Sequence, residues 1–237
     1  MKKFKIQNKL VLIAGALLLA ATLLSEPTKA QNKLPYDTTY TFAHYKVRRA
    51  FYEGLPNRKN EIVFLGNSIT EKGDWNELFQ NKRIINRGIG GDVCFGLLNR
   101  LNEVVSSKPK SIFLMIGIND IGRGVPEDVI AGKIQEIITT IKQKSPKTRV
   151  FLQSVLPINE KIIWYDYMKN KSDQIAKLNE KLKMVAKKEG IPYLDLYSKF
   201  ADKNGQLLPH LTADGIHLSA AGYLEWRKVF QEEGIKL

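Results

Sequence analysis

Five short apolar runs constrain the fold of this chain more than any other feature of its sequence. They are Glu61–Gly66, Arg83–Gly88, Ser111–Gly117, Arg149–Leu156 and Pro192–Leu196. Apart from Arg83–Gly88, which has two isoleucines among polar residues, these runs are largely apolar, as is typical of strands buried on both faces of a sheet. We therefore predict five strands in a sheet that is covered on both sides.

Helical patterns separate the later strands. An isoleucine stripe begins after residues 126–128, where a proline and two acids form a typical helix start. A second stripe ends at Gly190, and residues 218–230 have the pattern of a last helix. The stripes consist of Ile130, Ile134, Ile137, Ile138 and Ile141, and of Ile175, Leu178, Leu182 and Val185. Because strands alternate with helices, we predict the α/β class, with a single three-layer α/β/α domain over residues 31–237 and a parallel five-stranded sheet.

The segment before the first strand, residues 31–58, contains one more helical pattern. Its apolar residues are Phe42, Val47, Ala50 and Phe51. We predict that these four side chains form the apolar stripe of that helix.

The first thirty residues have the pattern of a secretory signal peptide. A lysine-rich start precedes an uncharged, mostly apolar run from Leu10 to Leu24. That run is shorter than the roughly 20 residues of a membrane-spanning helix, which disfavours the alternative of an N-terminal anchor. Small residues at Thr28 and Ala30 place the predicted cleavage after Ala30. We therefore predict an exported protein, periplasmic or secreted, with no stable membrane span after cleavage.

The composition excludes several other classes of protein. Cys94 is the only cysteine, which rules out an intramolecular disulfide and a zinc ribbon. Only three histidines occur, which argues against a histidine-rich metal cluster, and we predict neither a metal nor a cofactor. The formal net charge is +13, but the basic residues are scattered among acids, and export makes nucleic acid an unexpected partner. Nothing in the sequence indicates the oligomeric state.

Four loops carry the candidate functional residues. Three follow predicted strand ends, where ligands bind in open parallel sheets, and the fourth precedes the last helix. They are residues 66–70 (GNSIT), 86–92 (NRGIGGD), 117–120 (GIND) and 214–218 (DGIHL). Taken singly, each has a plain structural interpretation as a helix cap, a glycine turn, an Asx turn or a pair of surface residues.

Taken together, the four loops supply the groups for one chemistry. Attack on an ester carbonyl requires a hydroxyl nucleophile, a base, a group that orients the base, and donors for the oxyanion. Ser68 stands at a strand–helix junction, and Asp214 and His217 are three residues apart, so that one turn can place both beside a third loop. The backbone N–H groups of Ser68 and Gly91 and the side-chain amide of Asn119 are the candidate oxyanion donors.

This combination resembles the SGNH hydrolase superfamily, also called GDSL esterases and lipases, over roughly residues 60–230. The residues that give the family its name match Ser68, Gly91, Asn119 and His217, and its D-x-x-H block matches Asp214-Gly215-Ile216-His217. The resemblance implies a flavodoxin-like fold and hydrolysis of acyl esters through a Ser-His-Asp triad and a three-donor oxyanion hole.

Two details of these motifs affect the interpretation. Gly90 lies beside Gly91, so either could be the glycine donor, and we favour Gly91 because the family's glycine precedes an aspartate. The first motif often reads G-D-S, whereas Asn67 replaces the aspartate here. G-N-S versions resemble acetylesterases that act on carbohydrates, including sialate O-acetylesterase-like proteins. We therefore expect an O-acetyl ester on a sugar or sialic acid as substrate.

Several other functions remain as alternatives or are excluded by the motifs. A dinucleotide fingerprint would need a glycine at Val93, and an α/β-hydrolase elbow would need one at Thr70. A lysophospholipase or acyl-thioesterase of the same superfamily is the second candidate, and a non-catalytic glycan-binding protein is the third.

The remaining notable residues are aromatic or titratable. Aromatic side chains in predicted loops could form a glycan-binding platform, or could pack on the surface or in a lid: Trp75, Trp164, Tyr165 and Tyr167. We expect Cys94 to be a small buried apolar residue and Asp120 to support the site rather than to react. His210 is a candidate for the approach to Asp214, and His44 has no evident role.

Overall fold

The computed structural model describes residues 34–237, of which Tyr36–Leu237 form one compact unit. Its centre is a sheet of five parallel strands in the order β2-β1-β3-β4-β5. The strands are β1 (Ile62–Gly66), β2 (Ile84–Gly88), β3 (Ser111–Met115), β4 (Arg149–Gln153) and β5 (Tyr193–Leu194). This strand order is the flavodoxin-like one, and the predicted fold class is confirmed. The predicted signal peptide lies outside the described residues.

Ten α-helices occur in the described part of the chain, with two single-turn 3₁₀ helices. They are α1 (Ala43–Glu53), α2 (Ser68–Glu71), α3 (Trp75–Leu78), α4 (Cys94–Asn99), α5 (Leu101–Ser106), α6 (Ile118–Gly122), α7 (Glu127–Lys144), α8 (Ser172–Glu189), α9 (Tyr197–Phe200) and α10 (Ala220–Glu232), and the 3₁₀ turns are Asp166–Met168 and Pro209–Leu211. In residues 34–237, no helix combines the length and the apolar character that a bilayer crossing needs.

The two long helices form as their sequences predict. Helix α7 follows Pro126, carries Glu127 and Asp128 in its first turn, and buries its isoleucine stripe. Helix α8 buries its own stripe and stops at Gly190, which adopts the left-handed conformation (φ 63°) that favours glycine. These two helices pack against each other, and α8 also contacts β5.

Strands β3, β4 and β5 are shorter than predicted, although apolar residues of the predicted runs beyond their ends, Ile116, Val155 and Leu196, are buried. The backbone beyond β4 leaves the ladder because the side chain of Asn179 accepts the N–H of Val155 at 2.8 Å. Beyond β3, Gly117 turns the chain with φ 128°. Buried apolar runs therefore continue past the strands into the loops that carry the site.

The predicted apolar stripe of α1 is wrong. Val47 and Phe51 are 67% and 54% exposed, Ala50 is exposed, and Phe42 is only half-buried. The buried face consists instead of Tyr45 and Tyr52, whose hydroxyls donate to the carbonyls of Gly96 and Gly88 at 2.8 and 2.7 Å. The hydroxyls satisfy one backbone carbonyl at the end of β2 and one in α4, an interaction that apolar residues cannot make.

Candidate active site

The loops after β1, β2 and β3 meet because these three strands are neighbours in the sheet. Strand β1 lies between β2 and β3, and the order of connections reverses on its two sides, which makes this edge the usual ligand site. Ser68 is the first residue of α2, and the side chain of Asn67 caps that helix by accepting the N–H of Ile69 at 3.0 Å. A nucleophile at a helix start has a free backbone N–H beside its hydroxyl.

The structure brings Ser68, His217 and Asp214 into direct contact. Ser68 Oγ lies 2.9 Å from His217 Nε2, and His217 Nδ1 lies 2.6 Å from Asp214 Oδ2. The other carboxylate oxygen, Oδ1, accepts the backbone N–H groups of Ile216 at 3.0 Å and His217 at 2.7 Å. Partial burial raises the pKa of Asp214, but the bonds from His217 and the backbone outweigh it and hold that pKa below its usual value. An ionised Asp214 fixes the imidazole so that Nε2 can take the serine proton.

The turn that carries Asp214 and His217 is supported by the loop after β4. Gly215 adopts φ 87°, and a Cβ at this position would lie 2.8 Å from the carbonyl oxygen of Asn159. The backbone N–H of Asn159 donates to Gly215 O at 2.8 Å, and the Asn159 side chain donates to Leu207 O at 2.7 Å. Sequence reasoning missed Asn159, which follows no motif.

The backbone also decides between the two glycines of the second loop. The N–H of Gly90 donates to the carboxylate of Glu71 at 2.6 Å, so it is not free for a substrate. The N–H of Gly91 has no acceptor among residues 34–237, and its φ of 77° suits glycine. Asn119 donates one N–H of its side-chain amide to Asp92 O at 2.9 Å, which leaves the second N–H for a ligand.

A buried ion pair holds the second loop in place. Asp92 and Arg100 are both fully buried, and Arg100 Nε lies 2.9 Å from Asp92 Oδ2. Arg100 also donates to Gly66 O at 3.1 Å and to Arg87 O at 2.9 Å, and so ties together the ends of β1 and β2. Burial raises the pKa of Asp92, against the attraction of the Arg100 guanidinium. No sequence pattern identified Arg100.

Asp120 and Cys94 form a second buried contact below the loops. The carboxylate of Asp120 accepts the backbone N–H of Cys94 at 3.0 and 3.2 Å, so Asp120 supports the second loop. Burial raises the pKa of Asp120 to about 7. Cys94 is buried as expected, and burial raises the pKa of its thiol well above the usual value.

The predicted aromatic platform is only partly supported. Trp75 is wrong as a substrate contact, because it is 1% exposed, stacks on Phe64 at 4.2 Å and donates its indole N–H to Thr70 O. Trp164 is 76% exposed, and the hydroxyl of Tyr165 lies 3.4 Å from Asp214 Oδ2. These two aromatic residues therefore lie on the loop beside the Asp214–His217 turn.

A cavity of about 290 Å³ adjoins the candidate oxyanion donors. It is lined by Gly91, Asn119, Gly122, Arg123 and Tyr167. The other two histidines lie elsewhere: His44 contacts Glu71 at 3.1 Å, and the exposed His210 accepts a hydrogen bond from Ser219 through its carbonyl. Within residues 34–237, no group of three or more His, Cys, Asp or Glu side chains is placed to hold a metal ion.

The GDSL-like lipase/acylhydrolase family model matches residues 64–224, which include all four motifs. The chain belongs to this family. The resemblance to the SGNH superfamily is thereby confirmed, and the chain is a carboxylic-ester hydrolase.

Individual family members and solved structures resemble the chain over most of its length. Platelet-activating factor acetylhydrolase IB subunit alpha2 of Rattus norvegicus is 29% identical over 183 residues, which cover 74% of this chain and 76% of the relative. A GDSL-like lipase from Bacteroides thetaiotaomicron is 27% identical with a TM-score of 0.69, covering 80% of this chain and 96% of that one. An acetylxylan esterase from Geobacillus stearothermophilus shares the fold at 21% identity and TM-score 0.60, covering 75% and 95%.

Proposed function

We propose that this GDSL-family hydrolase is an exported serine esterase that removes O-acetyl groups from a carbohydrate. The observation that carries the proposal is the unbroken chain of contacts from Ser68 Oγ through His217 to Asp214. Two further groups, the N–H of Gly91 and the amide of Asn119, line the adjoining cavity. Nucleophile, base and oxyanion donors are the parts that acyl transfer requires.

The proposed reaction proceeds through an acyl-enzyme. His217 Nε2 takes the proton of Ser68 as Oγ bonds to the acetyl carbon, and the carbonyl oxygen becomes an oxyanion held by the donors of Ser68, Gly91 and Asn119. The intermediate then collapses, the bond to the sugar oxygen breaks, and His217 returns the proton to the departing alcohol. Water deprotonated by His217 attacks the acetyl-serine, which releases acetate and restores Ser68.

A short acyl group is favoured by the cavity and by the relatives. The cavity at the donors holds about 290 Å³, room for a small acyl group and part of the alcohol. The relatives named as acetylhydrolase and acetylxylan esterase both carry an acetyl substrate in their names. We therefore propose acetyl rather than a long chain as the group transferred.

The alcohol is proposed to be a sugar, on the basis of two features. The exposed Trp164 beside the base offers a flat face on which a sugar ring can stack. The first motif has Asn67 in place of aspartate, as in the carbohydrate acetylesterases that this motif resembles. The partner is then a small glycan ester, with no nucleic acid.

A phospholipid-like ester is the second candidate, and a specific observation favours it. Ile162, Trp164 and Tyr167 are 39%, 76% and 56% exposed and lie within six residues of one loop, which gives an apolar rim beside the base. The relatives named platelet-activating factor acetylhydrolase match this chain at 29% identity. A phospholipid with a short acetyl ester would place its carbonyl oxygen at the same oxyanion donors and its apolar part against the rim of Ile162, Trp164 and Tyr167.

The deciding experiment is a comparison of esters with the purified protein. We expect p-nitrophenyl acetate to be hydrolysed much faster than the octanoate, and an acetylated xylo-oligosaccharide or O-acetyl sialic acid to be hydrolysed faster than an acetylated lysophospholipid. The Ser68→Ala variant is the control and should lose about 10³-fold or more of the wild-type rate. Preference for the lipid would overturn the carbohydrate assignment, and wild-type rates in Ser68→Ala would overturn the mechanism.

Export is a separate part of the proposal. The basic start and short apolar run of residues 1–30 support cleavage after Ala30 and a mature chain of residues 31–237. N-terminal sequencing of the protein recovered from outside the cytoplasm should begin at Gln31. An intact N-terminus in a membrane fraction would instead indicate an anchor.

A further inference from the structure

Glu71 lies at the centre of a group of contacts that the reaction scheme does not use. It is the last residue of α2, three residues after Ser68, and its side chain is 19% exposed. Its carboxylate accepts the N–H of Gly90 at 2.6 Å. On its other side it meets two cationic or titratable groups of α1, His44 Nε2 at 3.1 Å and Arg48 Nε at 2.9 Å.

These contacts fix the backbone that carries the oxyanion donor. The N–H of Gly91 belongs to the peptide that joins Gly90 to Gly91. Because the bond to Glu71 fixes the N–H of Gly90, it restricts the orientation of that next peptide. On the far side, Arg123 Nη2 donates to Gly91 O at 3.2 Å. Phe42 packs against Gly91 itself, where an added Cβ would lie 3.0 Å from the ring. Glycine has access to a wide range of backbone dihedral angles, so contacts from other residues are needed to keep the Gly91 peptide in one orientation.

Helix α1 also holds the two ends of the same segment. Tyr52 donates its hydroxyl to Gly88 O, before the donor, and Tyr45 donates to Gly96 O, after it. Both tyrosines are buried, and both hydrogen bonds join α1, which carries none of the four motifs, to the segment that carries the second motif. Helix α1 thus braces the segment 88–96 at both ends, and Glu71 holds its middle.

We propose that Glu71 is a positioning residue of the oxyanion hole, held in place by His44 and Arg48 of α1. Its carboxylate keeps the Gly91 N–H aimed at the site where the oxyanion forms, without touching substrate. The inference rests on the role proposed above for Gly91, but not on the identity of the sugar or lipid alcohol. An oxyanion donor acts only when it is aimed before the charge develops, so a loosened Gly91 should affect the transition state and not substrate binding.

The first test compares two substitutions of Glu71 with a matched control. Glu71→Ala removes all the contacts, whereas Glu71→Gln keeps an oxygen for the Gly90 N–H but loses the negative charge that faces Arg48. The control is Glu53→Ala, which removes an ion pair between Glu53 and Arg49 at the end of α1, the helix that also carries His44 and Arg48. Each variant is assayed with p-nitrophenyl acetate for kcat and KM, and with a small fluorophosphonate for its rate of reaction with Ser68.

We expect Glu71→Ala to lower kcat about 10- to 100-fold, less than the loss of a whole oxyanion donor, with KM changed less than about threefold. Glu71→Gln should lie between it and the wild type, and Glu53→Ala should match the wild type. A wild-type kcat in Glu71→Ala, or a loss that appears only in KM, would overturn the proposal. If Glu71→Ala does not fold, the Gln variant decides by the same criterion.

A second measurement tests the route through α1. If His44 acts through Glu71, then His44→Ala should slow the wild type about two- to fivefold but add nothing to Glu71→Ala, because coupled residues are not additive. Additive losses would contradict this part of the proposal. In amide NMR spectra, the Gly90 proton should shift upfield in Glu71→Ala when its carboxylate acceptor is lost, and an unchanged resonance would show that the bond does not form in solution.

The labelling rate separates this inference from the proposed function. The fluorophosphonate needs the serine and the oxyanion hole but not the natural substrate. A wild-type protein that is labelled yet hydrolyses no acetylated sugar contradicts the proposed substrate alone. Equal labelling rates in the wild type and Glu71→Ala contradict the positioning role alone.

Discussion

The two halves of the candidate site are built in different ways. The nucleophile half, with Ser68, Gly91 and Asn119, sits on short connections directly after three neighbouring strands. The base half, with Asp214 and His217, lies in a long segment between α9 and α10 that belongs to no strand of the sheet. The sheet positions the first half, and hydrogen bonds between loops position the second.

This difference predicts where each half is vulnerable. The nucleophile half rests on the fully buried charged groups Asp92 and Arg100. A substitution that removes one of them leaves the other charge buried without a partner, which lowers the free energy of unfolding of the whole domain. The base half is held by polar contacts between loops, each of modest strength. Substitutions below the nucleophile should therefore mainly lower the free energy of unfolding. Substitutions around the base should mainly lower kcat, with a smaller change in the free energy of unfolding.

The largest expected effect is in the reaction itself. His217→Ala removes the proton acceptor that lies 2.9 Å from Ser68 Oγ and should lower kcat about 10⁴-fold or more, with little change in unfolding free energy. Steady-state kinetics and a urea titration measure the two quantities. The proton-transfer role would be wrong if this variant kept more than a tenth of the wild-type rate.

Arg100→Met should produce the largest loss of stability. It leaves Asp92 buried and unpaired and removes the bonds to the ends of β1 and β2, which should cost about 3–5 kcal/mol of unfolding free energy. Lys183→Met is the control, because it breaks an exposed pair with Glu180 and should cost less than about 1 kcal/mol. Similar costs in both variants would show that the buried pair does not anchor the nucleophile half.

Asp120 makes the stability of the nucleophile half depend on pH. Its pKa is about 7 in the folded state, against about 3.9 in an unfolded chain, so between these values the folded state binds more protons. Stability should therefore fall as pH rises from about 4 to 7. Relative to the wild type, Asp120→Asn should gain up to about 4 kcal/mol over this range, measured by urea unfolding at each pH. If the difference in unfolding free energy between Asp120→Asn and the wild type did not change with pH, the raised pKa of Asp120 would be contradicted.

A smaller effect is expected at the support of the base half. Asn159→Ala removes the bond to Leu207 O and should cost about 1–3 kcal/mol of unfolding free energy. Because the Asp214–His217 turn loosens, kcat should also fall about three- to tenfold. Asn76→Ala, at an exposed position of α3, is the control and should leave both quantities unchanged. Unchanged kcat in Asn159→Ala would mean that the turn does not depend on the side chain of Asn159.

The smallest effect is expected at Tyr165. Its hydroxyl reaches Asp214 only at 3.4 Å, whereas the carboxylate has three closer donors. Tyr165→Phe should therefore change kcat less than about twofold with p-nitrophenyl acetate. A tenfold loss would show that this contact, and not the backbone donors, holds the carboxylate.

The same contrast explains what could be predicted from the sequence. Ser68, Gly91 and Asn119 follow strands of a parallel sheet, and the meeting of strand ends is a property of that architecture. The contact of His217 with Ser68 could be predicted because His217 is one of only three histidines and stands three residues after Asp214, and the family resemblance implies the same pair. Its support by Asn159 depends on hydrogen bonds between distant loops, for which the sequence carries no local pattern.

The errors have physical causes of the same kind. Trp75 follows Gly73 and Asp74, which is typical of a loop, but its indole stacks on Phe64 in the core, a tertiary contact. In α1, the apolar pattern does not identify the buried face, because Tyr45 and Tyr52 are buried through hydroxyls that satisfy the carbonyls of Gly96 and Gly88. The role proposed for Glu71 has no sequence signal, because the residue stands just after the first motif and its partners, Gly90, His44 and Arg48, are distant in the chain.

Mass spectrometry after reaction with a fluorophosphonate tests the central claim most directly. In this reaction the serine oxygen bonds to phosphorus and fluoride leaves, so the adduct marks the activated hydroxyl. We predict one adduct on the peptide that contains Ser68, formed at least about 10³-fold more slowly in His217→Ala. An adduct on another residue, or equal labelling of the two proteins, would contradict the account.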